Sequence, residues 1–568
     1  MSPGAEQLKL PSWLIKAGRW WDVVAICGLA AFAVLLRCAR LFDSSINYVL
    51  NPDSYFFHWV AQRVIAGEGP PPGTSGVNYH LNSGFAYPAA YFAKALGSVF
   101  NLSPADSLEL VFKLLPPAVA VISLAVLYIA LVKLFNRRVA FFSCLTWALL
   151  FNAVFVGAAG NLDRDSLSVL LLLAGAVLFY VPRGWRFKVG TRDVGWVVSG
   201  FSVLVVQILL YLEWGPMGAV VLFAIILVYS VVKLLMEYLT LLDKEPRMMQ
   251  RIALALRRAD LRAVLFVAAI DLSVLGVHYN NQFSYSYHVI VGTLRGRLSG
   301  RVLLGTAAEE TGLSFGDLLN HQFFLVPIAL GVYLAWKRGT DATLFFASWF
   351  VSFFILSLFS YRMIILAVPA ACVVSGVGLA YLWEVMGRTD SKALLPQLGI
   401  IVLLLLLLVI SWFNATSVNS NYILAADKDW QEALTYLRED SPQNAVVMSQ
   451  WSYGYWILDL ANRQPLVDNG YYGVTPDRLR DVGLAYSTTD PSEAAAVMVK
   501  NGTDYLVFGK QDLDLASPIM AWAGLGSNES SFPDDSLIVR SLNGEFLSGD
   551  GLEVVFRNSE VVILALAR

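Results

Sequence analysis

Charge is scarce in this sequence. Lys, Arg, Asp and Glu together make up 15% of its 568 residues, against about 25% in soluble domains. With 57% hydrophobic residues and a mean hydropathy of +0.59, that shortage excludes a purely soluble chain and a disordered one. There is no basic excess: 41 Lys and Arg stand against 43 Asp and Glu, and the formal charge of −2 speaks against a nucleic-acid binder. Cysteine is nearly absent. Cys27, Cys38, Cys144 and Cys372 fall in apolar runs without metal or disulfide spacing, so they read as small core residues. Long-period repeats, low-complexity tracts and DNA-binding motifs are missing too.

What is present is apolar and aromatic. Aromatics reach 13%, with 16 Trp, a composition that suits interfacial belts in a membrane protein. Residues 1–19 are polar, with Lys9, Lys16 and Arg19, and an apolar run follows from Trp20 to Phe42. No small-residue cleavage pattern follows it, so it reads as a retained signal anchor. Further apolar runs lie at 107–132, 139–158, 166–182, 194–212, 215–240, 263–278, 321–336, 341–360, 363–386 and 396–413, with 84–100 as an extra candidate. About eleven spans are expected at ~30 Å of hydrocarbon each. With the N-terminus placed inside, the inner segments collect most of the basic residues, among them Arg137, Arg138, Arg186, Lys188, Arg257, Arg258 and Lys337. This positive-inside pattern puts two long loops, 43–106 and 279–320, and the C-terminal region on the outer side of the cell membrane.

After Trp412 the texture changes. Residues 1–414 are expected to form the transmembrane domain, and 415–568 an extracytoplasmic mixed α/β domain. In the latter, "DKDWQEALTYLRED" reads as an amphipathic helix and "NAVVMS" as the following strand.

The unusual ionisable residues gather on the outer side. Asp53 lies in "NPDSYFFHW", Asp163 and Asp165 in "GNLDRDSL", Glu309 and Glu310 in "GTAAEETGLSF", and Arg362 in "SYRMIILAVPA". Each has an ordinary alternative: a helix N-cap, a solvated turn, a wet loop face, or an interfacial cation that snorkels. Taken together, carboxylates from separate loops suit Mg²⁺ or Mn²⁺ rather than zinc. The Asp-x-Asp spacing lets two of them approach one ion, and Arg362 offers fork geometry to phosphate. The expected chemistry is transfer from a phosphate-activated lipid. A second cluster, "SQWSYGYWILDL", packs Trp451, Tyr453, Tyr455 and Trp456 around Gly454. It reads either as a turn presenting aromatics to a peptide groove or as an aromatic core turn.

These motifs resemble those of the oligosaccharyltransferase catalytic subunit family, of the archaeal AglB and bacterial PglB type, over nearly the whole chain. "NPDSYFFHW" is similar to the family's first acidic motif and "GFAYPAAYF" to its Tyr-Pro-rich stretch. "NLDRDSL" is similar to the second acidic motif, and "TAAE" to the Thr-[Ile/Val]-x-Glu motif of the second large loop. "YRMIILAVP" resembles the segment with the diphosphate-binding arginine, and "QWSYG" the Trp-Trp-Asp-Tyr-Gly motif. The resemblance implies a polytopic α-helical membrane protein of about eleven to thirteen transmembrane helices with a C-terminal mixed α/β soluble domain. It assigns metal binding to Asp53, Asp163, Asp165 and Glu309, with Asp53 and Glu309 also catalytic through the acceptor amide, and lipid diphosphate to Arg362. Acceptor peptide binding falls to Gln450, Trp451, Ser452, Tyr453 and Gly454, with Met520 in "DLDLASPIMAW" facing the acceptor's +2 residue. Two positions depart from the family: Gln450 stands in place of its first Trp and Ser452 in place of its Asp. A neutral serine should accept the acceptor hydroxyl's hydrogen bond more weakly than a carboxylate does.

The expected activity is metal-dependent, inverting transfer of a glycan from a dolichyl or polyprenyl (di)phosphate to the Asn amide nitrogen of Asn-x-Ser/Thr sites. The expected partners are a lipid-linked oligosaccharide, an acceptor protein or peptide and membrane lipid, with no nucleic acid and a single acting subunit. The alternative is another polytopic glycosyltransferase with a lipid-phosphate sugar donor and a non-protein acceptor. The chain's own Asn-x-Ser/Thr triplets at Asn101, Asn414, Asn501 and Asn528 all fall on the expected outer side, which would let it serve as its own substrate.

Overall fold

The structure is a computed structural model. It describes residues 12–38, 52–68, 86–162 except 160, 164–259 with short gaps, 322–358, 362–387, 426–468, 475–525 and 531–567, plus short helical stretches within 262–269 and 398–413. The expected span 263–278 lies largely outside these residues and 396–413 in part, as do the whole of the loop 279–320 and residues 43–51 and 69–85 of the other long loop.

The N-terminal part is helical. Its helices are α1 (Ser12–Cys38), α2 (Pro52–Ala66), α3 (Ala86–Phe100), α4 (Pro104–Leu134), α5 (Arg137–Leu149), α6 (Phe151–Val156), α7 (Arg164–Gly184), α8 (Gly195–Trp214), α9 (Pro216–Thr240), α10 (Met248–Ala259), α11 (Gln322–Arg338), α12 (Asp341–Ser357) and α13 (Arg362–Gly387). Two-residue strands β1 (Lys188–Val189) and β2 (Arg192–Asp193) pair between α7 and α8. Among the described residues, Trp20–Cys38, Pro104–Leu134, Val220–Thr240 and Met363–Val385 are long and apolar enough to cross a membrane, and four shorter apolar helices accompany them. The chain is a multi-pass membrane protein.

Local chemistry sets the helix ends. Pro104 opens α4, capped by the Ser103 hydroxyl, which accepts from the Asp106 N–H at 3.1 Å. The Asn136 carboxamide oxygen accepts from the Arg138 and Val139 N–H groups at the head of α5. The apolar run 139–158 is broken after Leu149, where α5 gives way to α6.

Helices pack closely where glycine allows it. A Cβ on Gly331 of α11 would lie 2.0 Å from the Val374 carbonyl oxygen of α13, and one on Gly378 would lie 2.1 Å from the Pro327 oxygen. Small residues let backbones approach in this way where no hydrophobic force separates helix from lipid.

Residues 426–567 build a mixed sheet with helices on both faces. The strands are β3 (Val446–Met448), β4 (Gln464–Pro465), β5 (Tyr505–Gly509), β6 (Ser548–Gly549), β7 (Leu552–Arg557) and β8 (Val561–Leu566). Their order is β4-β3-β5-β8-β7-β6, with β3 parallel to β4 and β5 and the other pairs antiparallel. Side chains alternate across it, as strand geometry requires. Val447, Val507, Val561 and Ile563 face α14 (Lys428–Asp440), while Met448, Leu506, Phe508, Val562 and Leu564 enter the core beneath α16 (Pro476–Ser487) and α17 (Pro491–Asn501). The amphipathic reading of α14 holds: Trp430, Ala433, Leu434 and Leu437 are buried at helical spacing, and Asp427 caps it on the Trp430 N–H at 2.9 Å.

The α14 face of the sheet is also where the soluble part meets the membrane part. One continuous apolar cluster joins Val447, Val507 and Trp430 to Tyr55, Phe56 and Val60 of α2, Ala89 of α3 and Phe112 of α4.

Replacing Gly378 with Leu should push α11 and α13 apart and cost about 1–3 kcal/mol. The expected readout is a lower thermal midpoint of the detergent-solubilised chain, and an unchanged midpoint would contradict the close approach.

Candidate active site

The site begins with α2. Pro52 starts this helix, and Asp53 sits half-buried in its first turn. The next aromatic residues point into the junction with the soluble part. Phe56 stacks on Tyr455 at 5.0 Å between centroids, Tyr55 meets Trp456 edge-on at 6.1 Å, and the Tyr55 hydroxyl accepts from the Ala426 N–H at 3.3 Å. The helix headed by Asp53 is therefore packed directly on the segment that follows Gln450–Gly454.

The Asp-x-Asp segment approaches the same place. Leu162 is fully buried in the cluster that holds Tyr55 and Trp456, and Leu167 packs against it. Asp165 is buried in the first turn of α7. A cation fixes the chain just before it. Arg37, buried at the end of α1, donates through Nη2 to the Trp147 and Ala153 carbonyls (3.2 and 2.8 Å) and accepts at its own carbonyl from the Ala159 N–H at 3.0 Å. A Cβ on Gly157 would lie 2.7 Å from its Nε, so only glycine fits there. Sequence reading passed over Arg37, although a charge inside an apolar run is the usual signal of such a role.

Arg362 is the first residue of α13. Asp163 and Glu309 lie outside the described residues. Among the described residues no group of three or more His, Cys, Asp or Glu forms a metal cluster.

The second cluster differs from the groove-facing expectation. Trp451, Tyr453, Tyr455 and Trp456 are all buried. They serve as core because α14 brings Trp430 onto Tyr453 (4.2 Å) and Trp456 (5.1 Å). Trp451–Tyr453 form a single 3₁₀ turn that leads into α15 (Gly454–Asp459). Gln450 caps the turn, its Oε1 accepting from the Ser452 N–H at 2.7 Å and from the Ser452 hydroxyl. The two residues that depart from the family thus bond to each other. Gly454 is required by crowding: a Cβ there would lie 2.5 Å from the Val467 carbonyl oxygen and 2.6 Å from the Asp468 Cα. Trp451 and Met520, the latter on α18 (Ala516–Ala523), share the apolar cluster on the other sheet face.

A buried acid anchors this turn from behind. Asp512 accepts from the Tyr453 hydroxyl at 2.6 Å and from the Gly509 N–H at 2.8 Å. The Tyr486 hydroxyl accepts from the Gln450 N–H at 2.8 Å and donates to the Val507 carbonyl at 2.7 Å. Burial pushes the Asp512 carboxyl up to about 7, against the pull of its hydrogen bonds. The Tyr453 hydroxyl is raised by its own burial and by Asp512.

Folded Asp512 thus holds a proton between about pH 4 and about pH 7 that the unfolded chain gives up. Its contribution to stability is full below that window and is lost as pH rises through it. Denaturant unfolding of the full chain, followed by tryptophan fluorescence from pH 4 to 8, should show this decline. Asp512→Asn should flatten it, and an equal slope in the variant would contradict the assignment.

No family model matches the chain. It is 24% identical over 287 residues to the STT3 subunit of dolichyl-diphosphooligosaccharide–protein glycosyltransferase from Dictyostelium discoideum, covering 45% of this chain and 40% of that protein. It likewise spans less than half the length of the STT3 relatives from rice, Arabidopsis thaliana and Caenorhabditis elegans. Dolichyl-phosphooligosaccharide-protein glycotransferase 2 of Pyrococcus horikoshii is 24% identical over 596 aligned positions, covering 86% of this chain and 71% of that one. The fold is shared with AglB of Archaeoglobus fulgidus, solved with an inhibitory peptide and a dolichol-phosphate, at a TM-score of 0.69 and 14% identity over 95% of this chain and 80% of that one. Sequence relatives and fold point the same way: the chain is similar to oligosaccharyltransferase catalytic subunits of the STT3 and AglB type.

Proposed function

We propose that the chain moves a glycan from a dolichyl or polyprenyl (di)phosphate to the amide nitrogen of an acceptor Asn at the extracytoplasmic membrane boundary. The observation that carries this reading is the junction itself. One apolar cluster holds the helix headed by Asp53, the approach to the Asp-x-Asp segment, and the segment that follows Gln450–Gly454. Names of the relatives support the donor and acceptor classes.

The acceptor nitrogen is a poor nucleophile because its lone pair is delocalised into the carbonyl. Asp53 and Glu309 would each accept a hydrogen bond from the carboxamide N–H groups and favour a twisted, more nucleophilic amide. The nitrogen then attacks the sugar carbon as the bond to the phosphate oxygen breaks, the lipid (di)phosphate leaving with the bonding pair and one amide proton passing to Asp53 or Glu309, and this single displacement inverts that carbon. Arg362 would hold the lipid phosphate through paired N–H donors. Asp53, Asp163, Asp165 and Glu309 would together offer only carboxylate donors, a chemistry that fits Mg²⁺ or Mn²⁺ and not a zinc site built on His or Cys. A cation held there supplies charge neutralisation for the departing phosphate.

On the acceptor side, Ser452 takes the place of a carboxylate, and its hydroxyl is already engaged as donor to Gln450. Its oxygen would receive the hydroxyl of an acceptor Ser or Thr as a neutral partner, so discrimination against Ala at that position should be weak.

Transfer to synthetic Asn-x-Thr, Asn-x-Ser and Asn-x-Ala peptides, with lipid-linked glycan as donor, tests the reading. Product should form with Thr and Ser, fall only modestly for Ala, stop on chelation and return with Mn²⁺ or Mg²⁺. Asp53→Ala should lower kcat by at least about 100-fold, the lower end for a positioned acid–base group. Full activity in that variant, or product only with a non-peptide acceptor, would contradict the proposal.

A further inference from the structure

The junction holds one polar tie that the transfer chemistry does not use. His58 of α2 donates from Nδ1 to Asp459 at the end of α15, at 2.9 Å from each carboxylate oxygen. The side chains are 7% and 1% exposed, and 401 residues of sequence separate them. The edge of one ring meets the face of the other where His58 packs on Phe112 of α4 (5.1 Å), and its Nε2 faces the Gln62 amide at 3.5 Å.

The surrounding contacts are stacked rings and aliphatic side chains, chiefly Phe56 on Tyr455 and Tyr55 on Trp456. Such contacts hold surfaces together with little directional preference and tolerate sliding. A charge-assisted bond to a buried carboxylate tolerates none. The pair also sits close to both functional ends. Asp53 precedes His58 by five residues on α2, and Gly454 precedes Asp459 by five on α15. At 1.5 Å per residue each arm is about 7–8 Å of continuous helix.

We propose that His58 and Asp459 are positioning residues that fix the register of α2 on α15, and so the separation between Asp53 and the acceptor turn at Gln450–Gly454. The proposal rests on the oligosaccharyltransferase reading above for its kinetic consequence, but not for its structural one. Without the tie the aromatic faces still dock, and the two halves of the site drift apart.

The kinetic test uses the full chain in detergent with lipid-linked glycan and an Asn-x-Thr peptide. His58→Leu and Asp459→Leu should each raise the peptide KM by about tenfold, within the range for directly coupled residues, with donor KM unchanged. The double variant should be no worse than either single one. His58→Gln, whose amide still donates, should restore most of the affinity. A peptide KM unmoved in His58→Leu, or peptide and donor KM rising together in the Leu and Gln variants alike, would overturn the proposal.

A second readout needs no activity. In a Cys27→Ser, Cys38→Ser background, nitroxide labels on Ala66→Cys and Glu439→Cys, both exposed, report the distance across the junction. That distance distribution should be narrow in the parent and in His58→Gln and broad in His58→Leu. Equal distributions in all three overturn the proposal. A parent chain that transfers no glycan while the distances behave as stated overturns the functional reading and leaves the positioning role standing.

Discussion

The structure depends on a buried junction between a membrane-side helix and a soluble sheet. Helix α2 is buried on every side from Ser54 to Ala61, with Tyr55, Phe56, Phe57, Trp59 and Val60 among its buried residues. It packs on α3 and α4 on the membrane side and on α15 on the soluble side. Burying several aromatic side chains, each worth roughly 1.5–3 kcal/mol, ties the two parts together. The stretches next to Asp53 and Asp165 then share one apolar cluster with the segment that follows Gly454.

On either side of the junction, polar groups do the orienting. Asp512, in the turn after β5, and Tyr486 of α16 hold the Gln450–Tyr453 turn, and Arg37 stitches the chain leading to Asp163 onto α5 and α6. Both are buried, and both bond mainly to backbone or to one another. Directional bonds of this kind are costly to leave half-made, so they select one arrangement where apolar packing alone would permit several. The candidate acids Asp53 and Asp165 stand in the first turns of α2 and α7, where helix N-terminal amides favour negative charge.

Much of this was legible in the sequence. Long apolar runs gave the helices, and alternation and amphipathicity gave β3 and α14, because local periodicity directly reports which face is buried. Asp53 and Asp165 stood out as acids beside apolar runs. The aromatic turn was harder. "QWSYGYW" reads equally as a binding loop or as core, and only the arrival of Trp430 from another helix decides that its rings are core. His58, Asp459 and Asp512 carried no signal at all. Each becomes meaningful through a partner distant in sequence, and no spacing rule reaches across 401 residues. The break between α5 and α6 was likewise hidden inside a continuous apolar run.

The central claim is that an acceptor peptide lies across this junction, with its Asn at the head of α2 and its +2 residue beside the 450–454 turn. Photo-crosslinking measures that directly. An acceptor peptide carrying a photoreactive group at the Asn position should label residues 52–58, and one carrying it at the +2 position should label 450–454 or α18, as mapped by mass spectrometry of the full chain. Labelling of both probes on a single one of these segments, or elsewhere on the chain, would contradict the account.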